Sequence, residues 1–235
     1  MKENELNICS NCGTNNPLYE KICSNCKHYV RAAVVNIDLW KTIWGLFENP
    51  KETLKNIIYA EHKNFIVFIL ALVSVKTFIT AASVQSAFGL LIPHTKYFLY
   101  NLLILLAIYT VSILLYTKIL SIIFNRITKT RFKDNLSIIL YSFIPIVLSL
   151  IILAPVEYGI FGKHWFISNP SPLLIKPNLA YVLFVLEFLM LSWSVYLLYT
   201  AFKIQSKSIM LSFTFLILLC LIIISQIIFI PFILL

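Results

Sequence analysis

Four cysteines near the start of the chain carry its clearest chemistry. Residues 9–26 read C-S-N-C-G-T-N-N-P-L-Y-E-K-I-C-S-N-C, which is Cys-x2-Cys, a ten-residue spacer and a second Cys-x2-Cys. Each pair can form a knuckle that points two thiolates at one centre, and Gly13 directly after the first pair permits the tight turn. Cys9, Cys12, Cys23 and Cys26 together make the donor set of a closed, tetrahedral, structural zinc site. Two disulfides or idle thiols are the other readings, and a reducing compartment disfavours the disulfides. No ligand position is left open, so the ion would be structural and not catalytic. Four thiolates and one zinc ion sum to a charge of about −2, which Lys21 and Lys27 are placed to offset. His28 could stand in for one cysteine. A segment this short has too little core to fold without its ion.

The second candidate constellation is a pair of charges deep in apolar sequence. Lys76 and Glu187 lie well inside hydrophobic runs, where a buried charge costs several kcal/mol unless paired, hydrated or neutralised. With Phe65 at one bilayer edge, Lys76 sits about 16 Å deep; Glu187, on a span running the other way, sits about 18 Å from the same edge. Lys76 shares a helical face with Thr80, Ser83 and Ala87, and Glu187 shares one with Ser194. The two faces are expected to meet as an ion pair that either fixes helix packing or relays ions or protons. Snorkelling, hydration or no contact at all are the alternatives. Lys118, near a span end, is expected to snorkel. His94, Glu157 and His164 fall in segments on the outer side with no spacing of a metal site or an acid/base pair, and Trp165 and Phe166 read as interfacial anchors. No G-x-S-x-G, Walker loop or H-E-x-x-H occurs. No catalytic set emerges, and the chain is not expected to be an enzyme.

Composition explains what must hold these groups. Of 235 residues, 60% are hydrophobic and only 12% are charged, against about half and a quarter in a soluble domain. The net charge of +9 is uneven. Residues 1–63 hold eight Lys/Arg and seven Asp/Glu, whereas residues 64–235 hold eleven and three. That surplus sits in short loops and reads as an orientation signal, not as a nucleic-acid footprint. No cleavable signal is visible, because MKENELNICSNC lacks an early apolar run.

The expected fold is an all-α membrane protein with five transmembrane helices, preceded by a small zinc-ribbon module and an amphipathic juxtamembrane helix. The parts are the ribbon (1–30), linker and juxtamembrane helices (31–63) and a five-span domain (64–235). The spans are expected over Phe65–Leu91, Phe98–Phe124, Leu136–Leu153, Leu179–Phe202 and Ile209–Leu235. Pro145 would kink the third. Only five glycines occur and none forms G-x-x-x-G, so close packing must use Ala71, Ser74, Thr77 and Ala81. Ahead of the spans, Asp38 is an N-cap for a helix whose Trp40, Trp44 and Lys41 suit the headgroup layer, although packing on the ribbon is an alternative. Asn49-Pro50-Lys51-Glu52 starts a second helix, with Asn49 as cap and Glu52 closing a capping box.

Lysines and arginines cluster before span one, after span two and after span four, whereas only Lys96, Lys163 and Lys176 lie on the opposite side. The positive-inside rule then puts the N-terminus and ribbon in the cytoplasm and the C-terminus outside. The sequon Asn135-Leu136-Ser137 falls on the inner side, and Asn169-Pro170-Ser171 is blocked by its proline.

The run L-F-E-N-P-K-E-T-L-K-N-I (Leu46–Ile57), just before a five-span bundle, resembles the start of the bacterial branch of the Yip1 membrane-protein family. The cysteine segment resembles ribbons fused ahead of bacterial membrane domains. The resemblance implies an integral protein of a bacterial cell membrane without assigned chemistry. Eukaryotic Yip1 relatives are implicated in vesicle traffic with Rab-type GTPases, but their D-L-Y-G-P motif is missing here, where Ile37-Asp38-Leu39-Trp40 stands, so GTPase binding does not carry over. Expected partners are the lipid bilayer and an unknown cytoplasmic protein recruited by the ribbon, with no nucleic acid; homo-oligomers stay open. The expected function is a membrane scaffold or adaptor. The alternative is a small ion- or proton-coupled transporter or channel that uses Lys76 and Glu187.

Overall fold

The computed structural model describes residues 7–30, 37–88, 98–166 and 170–233. His94 and Lys96 lie outside them. The N-terminal module pairs β1 (Asn7–Ile8) with β2 (Asn15–Asn16) in a two-stranded antiparallel sheet. Nine helices follow among the described residues: α1 (Leu39–Glu48), α2 (Pro50–Tyr59), α3 (Ile66–Phe88), α4 (Phe98–Asn125), α5 (Phe132–Ser142), α6 (Ile144–Phe161), α7 (Pro172–Ile175), α8 (Pro177–Ser206) and α9 (Ile209–Ile233). A 3-10 turn, Gly162–Trp165, follows α6.

Five segments are long and apolar enough to cross a membrane: α3, α4, α5 with α6, α8 and α9. The third span is the centre of the bundle. Within the protein 72% of it is buried, against 22% of α8 and 28% of α4 and α9. The exposed surface of the outer spans is mostly hydrocarbon, for example Val67, Leu103, Val111, Val185, Phe188 and Ile217, which suits a lipid-facing surface.

That third span is longer than the sequence suggested. It runs from Phe132 to Phe161 in two helices instead of from Leu136 to Leu153. The joint is at Phe143, whose N–H bonds to Leu140 O at 3.0 Å, and Pro145 follows in the first turn of α6. A proline in the first turn lacks only an N–H that would be unpaired anyway. Pro155 sits inside α6 without ending it.

Close packing on α3 uses Ser74, Thr77 and Ala81, all buried, but Ala71 is exposed. Ser74 and Thr77 donate their hydroxyls to Leu70 O and Val73 O at 2.8 Å, so neither polar atom is stranded. Across α4 and α9, Tyr116 Oη donates to Phe215 O at 2.6 Å, and the Phe124 and Phe215 rings meet edge to face at 5.2 Å. Lys118 is exposed on α4, and Cys220 is half-buried against the main core.

The juxtamembrane helices form a tight pair that packs on α5 and α8 through Leu46, Leu54, Ile57 and Ile58. Asp38 caps α1 by accepting from Lys41 N at 2.9 Å. The expected capping box at α2 does not form. Asn49 ends α1 and begins α2 at once, and its side chain donates to Glu52 Oε2 at 2.9 Å instead of accepting from the backbone. Gly45 lets the two helices touch, because a methyl there would overlap Thr53 Oγ1. Trp40 and Trp44, one turn apart, point away from the protein, 71% and 66% exposed. Phe47 instead stacks on Trp193 of α8, with rings 5.9 Å apart and nearly parallel.

Candidate metal centre and intramembrane charge cluster

The cysteine module is built from two near-identical knuckles. Gly13 N–H bonds to Cys9 O at 2.9 Å and Cys9 N–H to Thr14 O at 3.0 Å. Fourteen residues on, Lys27 N–H bonds to Cys23 O at 3.2 Å and Cys23 N–H to His28 O at 2.8 Å. Gly13 and Lys27 both take the left-handed conformation, at φ of 70° and 60°. The turn requires that conformation, and only one knuckle has the residue that adopts it without cost.

All four sulfurs lie within 4.8 Å of one another, and Cys9–Cys26 and Cys12–Cys23 are each 3.5 Å apart. A disulfide needs about 2.05 Å. Four sulfurs about 2.3 Å from a central ion would be spaced by about 3.8 Å. The donor set therefore fits one tetrahedral metal ion. The Thr14 hydroxyl, 3.2 Å from Cys12 Sγ, and the Thr14 backbone hold the Cys12 thiol down at about 6, whereas burial and the neighbouring thiols push Cys9 up to about 11, so without an ion the four thiols do not ionise together. Cys23 is also shifted down, first by the Cys26 backbone N–H. Asn16 Nδ2 approaches Cys23 Sγ at 3.6 Å. His28 is absent from the cluster. Lys21 is also occupied elsewhere, in an ion pair with Glu61 at 2.6 Å, so it is not dedicated to offsetting the thiolates.

The module rests on the end of the bundle where α2 ends and α5 begins. Leu18 packs against the main core. The Arg131 guanidinium lies 4.3 Å from the Tyr19 ring centroid and pairs with Asp134 at 2.8 Å. Asp134 also pairs with Lys63 at 3.0 Å, and both side chains are buried, 1% and 3% exposed. Lys63 in turn donates to the carbonyls of Ile57 and Ile58, the unpaired C-terminal end of α2. One buried carboxylate thus ties the four-cysteine module, α2 and the central span together. Nothing in the spacing of Asp134 marked it, because it follows Lys133 in what reads as a charged loop. The neighbouring Asn135 is fully buried, its amide donating to Ser121 and Thr130 at 2.8 and 3.0 Å.

At the other charged site, Lys76 Nζ lies 2.5 Å from Glu187 Oε1. The Lys76 side chain is 3% exposed and that of Glu187 22%. The pair borders a cavity of about 230 Å³ whose lining includes Thr80 and Ser83. Ser194 is buried but lies off the cavity. Two sequence expectations fail here. Glu157 is not in an outer segment but inside α6, buried, and lining the same cavity. Trp165 is no interfacial anchor. It is 1% exposed, stacked on Phe184 and tilted against Phe161, both at 5.0 Å. Pro155 made residues 154–166 look like a loop. A helix that continues past a proline cannot be seen in hydropathy alone.

These features define an integral membrane protein, with a four-cysteine head on a five-span helical bundle. The Yip1 domain family model matches residues 44–230, which is most of the chain and all five spans. The chain belongs to the Yip1 family. No curated protein and no solved structure matches it.

Proposed function

We propose that the protein is a membrane-anchored adaptor of a bacterial cell membrane. Its head holds a structural zinc ion through Cys9, Cys12, Cys23 and Cys26, faces the cytoplasm and recruits a soluble protein there. The exposed apolar side chains of the head support this reading above all. Leu18, Tyr19 and Lys21 are committed to the bundle. Two further apolar side chains stay exposed. Ile22 and Tyr29 are directly opposed in an antiparallel bridge, so they share a face, and they are 45% and 66% exposed. Charge supports a cytoplasmic head, since Lys63, Arg126, Lys129, Arg131, Lys133, Lys203 and Lys207 lie at the span ends on its side of the bundle.

A photo-crosslinking residue at position 29 tests the reading in native membrane. A protein other than this chain should be captured, and Ile22→Glu should abolish the capture while the head keeps its metal. Capture of lipid or of the chain itself would refute the adaptor role. A second reading, an ion- or proton-coupled transporter, draws support from the cavity beside Lys76 and Glu187. Flux through proteoliposomes that persists after head deletion would favour it.

A further inference from the structure

The cavity within the bundle does not balance its charge. Lys76 and Glu187 form a pair at 2.5 Å that neutralises itself. Glu157 is the third ionisable group on the wall and is 1% exposed. Its Oε1 has no hydrogen-bond partner among the described residues, nor has Trp165 Nε1. One ammonium and two carboxylates leave one negative charge in a site walled by Phe184, Phe188, Ile223 and Ile227. A lone carboxylate at that depth is costly, so one positive charge must enter with it.

Two kinds of cation can supply that charge. A metal cation takes six or more oxygens when its ligands are hard. The wall offers the two carboxylates and the hydroxyls of Thr77, Thr80 and Ser83, fewer side chains than the six or more oxygens such an ion takes. The remaining wall is hydrocarbon and indole. A proton needs only one oxygen atom, and Glu157 Oε1 is available.

We propose that Glu157 is a proton-binding site of the membrane domain: its carboxylate takes up one H+ from water to become the neutral acid, and releases it again to water. Lys76 from α3 and Glu187 from α8 are the ionisable groups that face it. The 3-10 turn contributes Trp165 and α9 contributes Ile223 and Ile227, none of them ionisable; His164 does not line the cavity. The occupancy of Glu157 decides how Lys76 is shared. With Glu157 ionised, the ammonium that pairs with Glu187 on α8 also attracts a second carboxylate, on α6, across the cavity. With Glu157 protonated, the ammonium belongs to Glu187 alone. The bound proton thereby changes which pair of helices the charge holds together. The inference does not depend on the adaptor reading, since it concerns only the bundle.

Infrared titration of the full chain in nanodiscs tests this, with the proton as the probe. A band of a buried protonated carboxyl should be present at neutral pH, decline as pH rises, and vanish in Glu157→Gln. Glu157→Asp, which keeps the acid, should retain the band at a shifted frequency and serves if the glutamine variant does not fold. Lys76→Gln should increase the band about twofold, because both carboxylates then lack their cation. A band that survives Glu157→Gln, or no band at any pH, overturns the proposal. A band removed by sodium chloride but not by choline chloride at fixed pH also overturns it, in favour of a metal cation.

Discussion

Removing the Asp134 carboxylate should destabilise the protein more than removing the arginine that reaches over it. Asp134→Ala leaves the Lys63 ammonium, 3% exposed, without its carboxylate. Breaking a buried pair from one side costs about 3–5 kcal/mol. Lys63 keeps the carbonyls of Ile57 and Ile58, so the lower end, about 3 kcal/mol, is expected. Arg131→Ala removes a contact to the Tyr19 ring worth about 0.5–1 kcal/mol. It also removes a pairing of a side chain that is 39% exposed, which adds up to about 1 kcal/mol. Asp134 meanwhile stays neutralised by Lys63. At about 2–4 °C per kcal/mol for a chain of this size, the midpoints should fall by roughly 6–12 °C for Asp134→Ala and, at the same slope, by no more than about two thirds of that, roughly 1–8 °C, for Arg131→Ala. Thermal unfolding in detergent micelles reads both. The double variant Lys63→Leu/Asp134→Leu should recover most of the loss, since no charge is then stranded. If Arg131→Ala lowered the midpoint as far as Asp134→Ala, the reasoning about burial would be refuted.

Other perturbations follow from the same contacts. Cys23→Ser should reduce metal content below one ion per chain by native mass spectrometry, and a chelator should unfold the head while the helical signal of the spans remains. Lys27→Gly relieves a left-handed lysine worth about 1 kcal/mol and should tighten metal affinity about fivefold, measured by competition with a chromophoric chelator; no tightening would mean the turn is unstrained. Gly45→Ala should destabilise by about 1–3 kcal/mol through overlap with Thr53, yet become neutral or stabilising in a Thr53→Ala background, and unfolding midpoints of the two pairs decide it. The Lys21 side chain holds the Glu61 carboxyl below its ordinary value of 4.5. The sign is that of a depressed acid: the clamp is whole above 4.5 and is lost as pH falls through the lowered value. Energy transfer between labels on the head and on the α4–α5 loop should drop over that acid range, and Glu61→Gln should show the drop at neutral pH.

The clustering of Cys9, Cys12, Cys23 and Cys26 was readable from spacing, because paired Cys-x2-Cys knuckles bring four thiols to one point. The spans were readable because lipid imposes length and hydropathy. What the sequence concealed was of a different kind. Glu157 and Trp165 looked external because a proline precedes them, and packing against α8 and α3 holds that helix on course to Phe161. Asp134 looked like loop charge because burial of an ion requires its partners, and Lys63 lies 71 residues away. Lys21 fits either a thiolate or a carboxylate, and the fold chose Glu61. Partnership across the chain is a tertiary fact, and composition does not record it.

The joint at Phe143 gives the central span two separate duties. Its first eleven residues serve the head, and the eighteen after it serve the cavity. A change of head, even its replacement by another small domain, would disturb the segment before the bend and the end of α2 that the head also touches. The machinery beyond the bend would keep its shape, so the two ends of this molecule are free to diverge at different rates.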